Sequence, residues 1–229
     1  MKINNKDTKE FGAILLDYNI DNSELITYDD WLDNSFSPST HRQVFKFSYL
    51  ECEFLFQQKN DDLAEMMISN FIKHSSTAEI TIDDLSRTYK GVLDEADKEK
   101  IVKGKYELRL KWKCEYSFKI ESDFILEGRE GSIFVPGNIK TPAIVEIIPK
   151  INLIDLSIKG LGEDITIKNL KANVPVIINS EDGLITENGK NKFNETDMWE
   201  FPYLVPGTNQ ISIDKDNVDI KIKYKSRWI

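Results

Sequence analysis

KYELRLKWKCEYSFK, residues 105–119, decides the fold class. Tyr106, Leu108, Leu110, Trp112, Cys114, Tyr116 and Phe118 alternate with charged or polar residues. That period of two places successive side chains on opposite faces of an extended chain and spells a long strand with one buried face. HRQVFKFSYLECEFLFQ, residues 41–57, reads the same way but changes phase. Phe45, Phe47 and Tyr49 are odd-numbered, whereas Cys52, Phe54 and Phe56 are even. One extra residue near Leu50 would return both sets to a single face, so a β-bulge is expected within Tyr49 to Glu51.

Between these strands, NDDLAEMMISNFIKHS is the one convincing helix. Leu63, Met67 and Phe71 line up with Ala64, Ile68 and Ile72 as a broad apolar face. Asp62, with Glu65 three residues on, is the expected cap. Lys73 and His74 close the last turn, where positive charge suits the helix dipole, and His74 is expected as a capping or surface residue. Strands at TAEITID and from Thr88 to Leu93 lead into residues 105–119.

After about Ser122 the texture changes to short strands at close intervals: SIFV, AIVEII, INLIDLSI, DITIKN, VPVIIN and GLIT. Turn signals separate them, notably Pro136-Gly137-Asn138, Asp182-Gly183 and Asn188-Gly189. In WEFPYLVPGTNQ, residues 199–210, Phe201 is held extended before a proline. Pro206 and Gly207 suit the centre of a type II turn, the glycine supplying positive φ. This is a corner leading into an expected terminal hairpin, QISI and VDIKIKYKSRW, joined by Asp214 to Asn217. The whole reads as a mainly β chain of two domains, residues 1–122 and 123–229, the second a β-sandwich.

The 229 residues carry 39 acids against 30 bases, a net charge of −9. That balance argues against a nucleic-acid binder held by phosphate contacts and against an anionic membrane surface. MKINNKDTKEFGAILL has no apolar h-region, and no eighteen apolar residues run together, so a protein made and kept in a cytoplasm is expected. Cys52 and Cys114 fall on the apolar phase of strands and read as small core residues, reduced thiols in that compartment.

Chemistry is hard to find. His41, Cys52, His74 and Cys114 lack the close spacing of a zinc site. DKDNVD, residues 214–219, lacks the glycine and distal glutamate of a calcium loop. The glycines at 128, 131 and 137 form no phosphate cradle, since G-R-E-G-S lacks the lysine of a P-loop and no helix follows. Asp29-Asp30, Asp83-Asp84 and Glu163-Asp164 are adjacent acids of the kind solvated loops carry. Trp31, Trp199 and Trp228 sit beside apolar or turn residues and read as core or subunit-interface packing rather than sugar platforms. No enzyme, catalytic residue, metal or cofactor is expected.

Taken in order, these stretches resemble the distal tail proteins (Dit) of siphophages and related prophages. The resemblance rests on YDDWLDNSFSP (Asp30, Trp31, Leu32, Pro38), HRQVFKFSYLECEFLF, DDLAEMMISNFIKH and RTYKGVL in the first half. In the second it rests on GNIKTPAIVEI, GLITENGKN, WEFPYLVPGTNQISI and YKSRWI. It implies an N-terminal β-sandwich or split barrel with one α-helix, forming the ring, and a C-terminal galectin-like β-sandwich. It further implies a hexameric ring at the virion tail tip, assembled in the host bacterial cytoplasm. Such a ring joins the tail tube protein to the tail-associated lysin or fibre protein and to receptor-binding proteins, and lets DNA pass without specific binding. No membrane partner is implied. The chain departs from some relatives in having no long insertion between its C-terminal strands, of the sort that in those relatives carries an arm or an extra carbohydrate-binding module, so gripping of receptor-binding proteins or glycan by such an insertion is not expected. The alternative reading is a lectin-like tail protein contacting the host surface. A galectin-like fold does not by itself confer sugar binding, and the second half shows no His-Asn-Arg and Trp-Glu-Arg cluster.

Overall fold

The computed structural model of the chain describes residues 1–33 and 36–229; Asn34 and Ser35, inside the YDDWLDNSFSP stretch, lie outside the described residues. Two compact units are present: Met1–Phe118 with Ile229, and Lys119–Trp228.

The first unit contains β1 (Lys2–Ile3), β2 (Lys6–Asp7), β3 (Ala13–Asp21), β4 (Leu25–Asp30), β5 (Ser39–Phe45) and β6 (Ser48–Gln57). These are followed by α1 (Asp61–His74), β7 (Thr77–Thr81), β8 (Thr88–Val102) and β9 (Lys105–Phe118). Seven strands pair antiparallel in the order β2-β1-β7-β8-β9-β6-β3, while β4 and β5 pair only with each other. The alternation in residues 105–119 is realised as expected: Tyr106, Leu108, Leu110, Trp112 and Cys114 are buried on one face. That face packs against Ala64, Ile68 and Phe71 of α1. Phe71 sits among the rings of Phe11, Phe54 and Phe56 at 5.0–5.8 Å, in tilted or edge-on contact. The Trp112 indole donates a 2.8 Å hydrogen bond to the Ser75 carbonyl, fastening the helix end to β9.

Two local expectations are corrected. The helix is capped by Asn60, whose extended backbone lets its side chain accept from the Leu63 amide at 2.9 Å, and not by Asp62. Asp61 instead accepts from Lys100 and from the Gly104 amide, both at 2.7 Å, and these bonds lower its pKa to about 2. There is also no bulge within Tyr49 to Glu51. β6 pairs with β9 without interruption from Ser48↔Cys114 to Gln57↔Lys105, and its pairing with β3 is regular through the same residues. The phase changes because residues 42–57 are two strands: β5 belongs to a separate hairpin, and Lys46 and Phe47 lie between it and β6. The extra residue is on β3, where the register shifts between Leu15 and Asp17.

The second unit contains β10 (Ser122–Leu126), β11 (Glu130–Val135), β12 (Thr141–Pro149), β13 (Leu153–Lys159), β14 (Ile165–Leu170) and β15 (Val176–Asn179). It continues with β16 (Leu184–Glu187), β17 (Lys190–Asn191), β18 (Thr196–Asp197), β19 (Tyr203–Leu204), β20 (Gly207–Ile213) and β21 (Val218–Tyr224). One sheet runs β10-β21-β12-β15-β16-β17, with β19 on β12, and the other runs β11-β20-β13-β14-β18. Their inner faces share one core, with Val145, Ile147, Ile178 and Ile222 from the first sheet against Leu156, Ile158, Ile167 and Ile211 from the second. This is the sandwich expected from the spacing of short strands.

The corner at 199–210 does its expected work. β19 belongs to one sheet and β20 to the other, and Gly207 at φ 95° makes the turn between them. Asn209, buried, fastens the corner by accepting from the Val205 amide at 2.9 Å and donating to the Val205 carbonyl at 2.8 Å. The terminal hairpin is corrected: β20 and β21 do not pair, and Asp214 to Asn217 carry the chain across from one sheet to the other. Ile211 and Ile213 of β20 and Val218, Ile220 and Ile222 of β21 give both strands an apolar inner phase, which is equally consistent with facing strands in two sheets.

Candidate functional site

The titratable residues weighed in the sequence go to separate places. Cys52 and Cys114 are buried thiols. Burial pushes the pKa of both up, that of Cys114 to about 11. His74 stacks on Phe11 with ring centroids 4.7 Å apart and hydrogen-bonds the Ile3 carbonyl at 3.0 Å, tying the N-terminal segment to α1. His41 contacts the Asp30 carboxylate at 2.9 Å on an exposed hairpin. Asp83 takes the N-terminal ammonium, Asp84 accepts from the Tyr18 hydroxyl, and Asp164 pairs with Lys159. Asp214 of the DKDNVD stretch accepts from the Ser157 amide and pairs with Lys215. Among the described residues no three His, Cys, Asp or Glu side chains gather as a metal site. Trp31 and Trp199 are exposed, at 68% and 90%, contrary to the core alternative considered for them.

What the first unit presents instead is surface. The β4–β5 hairpin pairs from Leu25↔Phe45 to Asp30↔Ser39 and stands apart from the main sheet. Two strands alone are marginal in water, and this pair exposes Leu25, Tyr28, Trp31, Leu32, Phe36 and Phe45, with Phe47 at its base. Such a concentration of exposed apolar and aromatic side chains marks an interaction surface. Beneath it lies an open groove of about 570 Å³ lined by Glu24, Phe45, Lys46, Phe47, Tyr49, Lys113 and Glu115. Sequence reading missed this arm because it joined β5 to β6; the phase change between Phe47 and Cys52 was the signal.

The main sheet also has two long open edges among the described residues. β3 pairs only with β6 along its nine residues, and β8 beyond the reach of β7 pairs only with β9. The face opposite α1 is charged in columns. Arg109, Lys111 and Lys113 of β9 lie between Glu51 and Glu53 of β6 and Glu95 and Asp97 of β8, with Asp17 and Asp21 of β3 beyond. Arg109 binds Glu53 at 2.8 Å and Glu107 at 3.0 Å. Contact between the two carboxyls holds Glu107 above and Glu53 below the usual range, the guanidinium assisting the latter. Lys111 pairs with Glu95 and Lys113 with Asp94. Asp17, Asp21, Glu51, Asp97 and Glu99 have no cationic partner among the described residues, so the face is acidic on balance.

The fold has counterparts among known structures. Residues 136–228 match the family described as siphovirus-type tail component, C-terminal domain. The chain also superimposes on the Dit protein of phage SPP1 with a TM-score of 0.81, covering 99% of this chain and 98% of that one at 10% identity. That structure is described as a paradigm of the hub adsorption apparatus in phages infecting Gram-positive bacteria. Structures of the phage P2 baseplate in its activated conformation, with Ca and with Sr, match at TM-score 0.53. They cover 95% of this chain and 92% of theirs, at 11% and 12% identity. No curated protein matches the sequence. The chain thus carries, over residues 136–228, a stretch that matches a siphovirus-type tail component domain. Its fold throughout is that of a Dit protein, so the resemblance to distal tail proteins is borne out.

Proposed function

We propose that this chain is the hub of a siphophage tail tip, six copies of which close into a ring through residues 1–122. The observation that carries this reading is the pair of unlike, unsatisfied surfaces on the first unit. A closed ring needs two different patches per subunit because its contacts are heterologous. The open β3 edge and the open distal half of β8 are such a pair, able to join sheets from one copy to the next by main-chain hydrogen bonds. The apolar β4–β5 arm, laid on a neighbouring copy, would bury Trp31, Leu32 and Phe36, each contributing roughly 1.5–3 kcal/mol if fully buried.

With the face opposite α1 turned to the lumen, Asp17, Asp21, Glu51, Asp97 and Glu99 repel the DNA backbone, so that DNA passes without sticking. Residues 123–229 then present the sandwich to neighbouring tail proteins, and the ring connects the tail tube to the tail-associated lysin or fibre protein. No part of this reading requires catalysis. Negative-stain electron microscopy of the purified chain is the test. Six-fold rings with a central opening are expected, and particles of another symmetry or isolated monomers at high concentration would refute the ring.

A further inference from the structure

The second unit has two turns of a type prone to backbone chemistry, Asp182-Gly183 between β15 and β16 and Asn188-Gly189 between β16 and β17. They differ in how the acidic or amide side chain is held. Asp182 is engaged: its carboxylate accepts from the Asn179 amide at 2.7 Å, and its own backbone amide donates to Asn179 at 3.2 Å. Asn188 is exposed, and its side-chain amide makes no hydrogen bond among the described residues. Asn188 and Gly189 have φ of 48° and 77°, as a type I′ turn requires, and nothing lies within 4 Å of where a Gly189 Cβ would stand. The ladder that holds this turn closed is two residues long, Glu187↔Lys190 and Thr186↔Asn191. Short peripheral ladders open at little free-energy cost.

We propose that Asn188-Gly189 is a site of spontaneous covalent modification, in which the Asn188 amide converts to aspartate and isoaspartate with water as co-reactant. When the turn opens, the Gly189 backbone nitrogen, its proton removed by hydroxide, attacks Asn188 Cγ. A C–N bond forms, the Cγ–Nδ2 bond breaks, and Nδ2 leaves as ammonia, closing a five-membered succinimide. Water then adds to one of the two ring carbonyls. Breaking the bond from Gly189 N to Cγ gives aspartate on the normal backbone, and breaking the bond to the main-chain carbonyl gives isoaspartate. The balance is amide plus water to carboxylate plus ammonium, the proton lost by the nascent carboxylic acid being taken up by the released ammonia, with no change of oxidation state. Gly189 permits the attack because it offers no side chain to obstruct it and imposes no conformational barrier of its own.

The two products have different consequences. Aspartate tolerates positive φ and keeps the turn, adding one negative charge. Isoaspartate inserts a methylene into the main chain of a two-residue turn and displaces Lys190 and Asn191 from their partners. Lys192, buried immediately beyond, then loses its alignment with Glu187 and Glu195. In a virion component, which is not replaced after assembly, this change accumulates with time.

The experiment is incubation of the full chain in mildly alkaline buffer at physiological temperature, followed by peptide mapping that separates aspartate from isoaspartate. Conversion is expected first in the peptide holding Asn188, with a parallel loss of thermal stability in the second unit. Asn188→Gly, which suits the turn and cannot react, is expected to hold its melting temperature over the same period. Earlier conversion at another asparagine or at Asp182 would overturn the assignment. So would equal loss of stability in Asn188→Gly.

Discussion

Lys192→Met removes the one buried Lys or Arg side chain among the described residues of the second unit. Lys192 Nζ donates to the Asn169 carbonyl of β14 at 3.1 Å and contacts Glu187 of β16 at 3.1 Å and Glu195 at 2.5 Å. It therefore links the two sheets where their edge strands, β17 and β18, are only two residues long. Methionine matches the stem but leaves Glu187, whose side chain is 14% exposed, as a carboxylate with only the more distant Lys171 at 3.6 Å. Breaking a buried pair by removing one partner costs about 3–5 kcal/mol. Glu195 can rotate into solvent, so the expected loss here is about 2–4 kcal/mol, somewhat below that range. For a unit of this size the shift in Tm is roughly 6–20 °C. Glu187→Gln in the Lys192→Met background removes the orphaned charge and should recover at least half of the loss.

The pH profile tests the same cluster. Burial acts to lower the Lys192 pKa, but the Glu195 and Glu187 carboxylates outweigh it and the net shift is upward. Its stabilising contribution is present in full below the unfolded lysine value of about 10.4 and is lost as pH rises through the folded value. Glu195 is held below the usual range by Lys192 first and Asn169 second. Its contribution is present above the unfolded value of about 4.3 and is lost as pH falls through the folded value. Differential scanning calorimetry of the parent should show both limbs, and Lys192→Met should flatten both. A Tm change under about 2 °C, or a double variant no better than the single one, would refute the clamp.

Three further outcomes follow from the geometry. Trp112→Phe keeps an aromatic ring but orphans the Ser75 carbonyl, which should cost about 1–3 kcal/mol in urea unfolding; a smaller loss would mean water replaces the indole. Phe71→Ala removes the ring on which Phe11, Phe54 and Phe56 converge and should cost about 3–5 kcal/mol, read from the first unit's transition. Cys52 and Cys114, buried with raised pKa values, should resist maleimide in the native chain at neutral pH and react on unfolding. Rapid native labelling at either would contradict their place in the core.

The mainly β class, the single helix and the sandwich were legible because each rests on a local period: two in residues 105–119, and short strands bounded by turn residues after Ser122. The corner at 199–210 was legible for the same reason, since Pro206 and Gly207 fix their own backbone. Pairing partners were not. β20 and β21 look like a hairpin in sequence because both are alternating strands joined by a polar turn, and only long-range packing places them in opposite sheets. The arm was hidden by a similar ambiguity: Phe45 at the end of β5 fits the apolar phase of a buried strand, although it is 54% exposed. Periodicity reports that one face is apolar and does not say whether the apolar surface it meets belongs to the same chain. The contact between Glu53 and Glu107 was likewise invisible, because it arises from the β6–β9 register across more than fifty residues of sequence.

In the proposed ring, the apolar arm of the first unit must cover a neighbouring copy for the edge-to-edge contacts to hold. Multi-angle light scattering on the full chain and on Trp31→Ser/Leu32→Ser/Phe36→Ser tests it most directly, since these side chains are exposed and their loss leaves both cores intact. The parent should reach six times the chain mass of 26.5 kDa, and the variant should fall to the monomer mass with its melting temperature unchanged. A variant that still assembles as fully as the parent, or a parent that stays monomeric at high concentration, would contradict it.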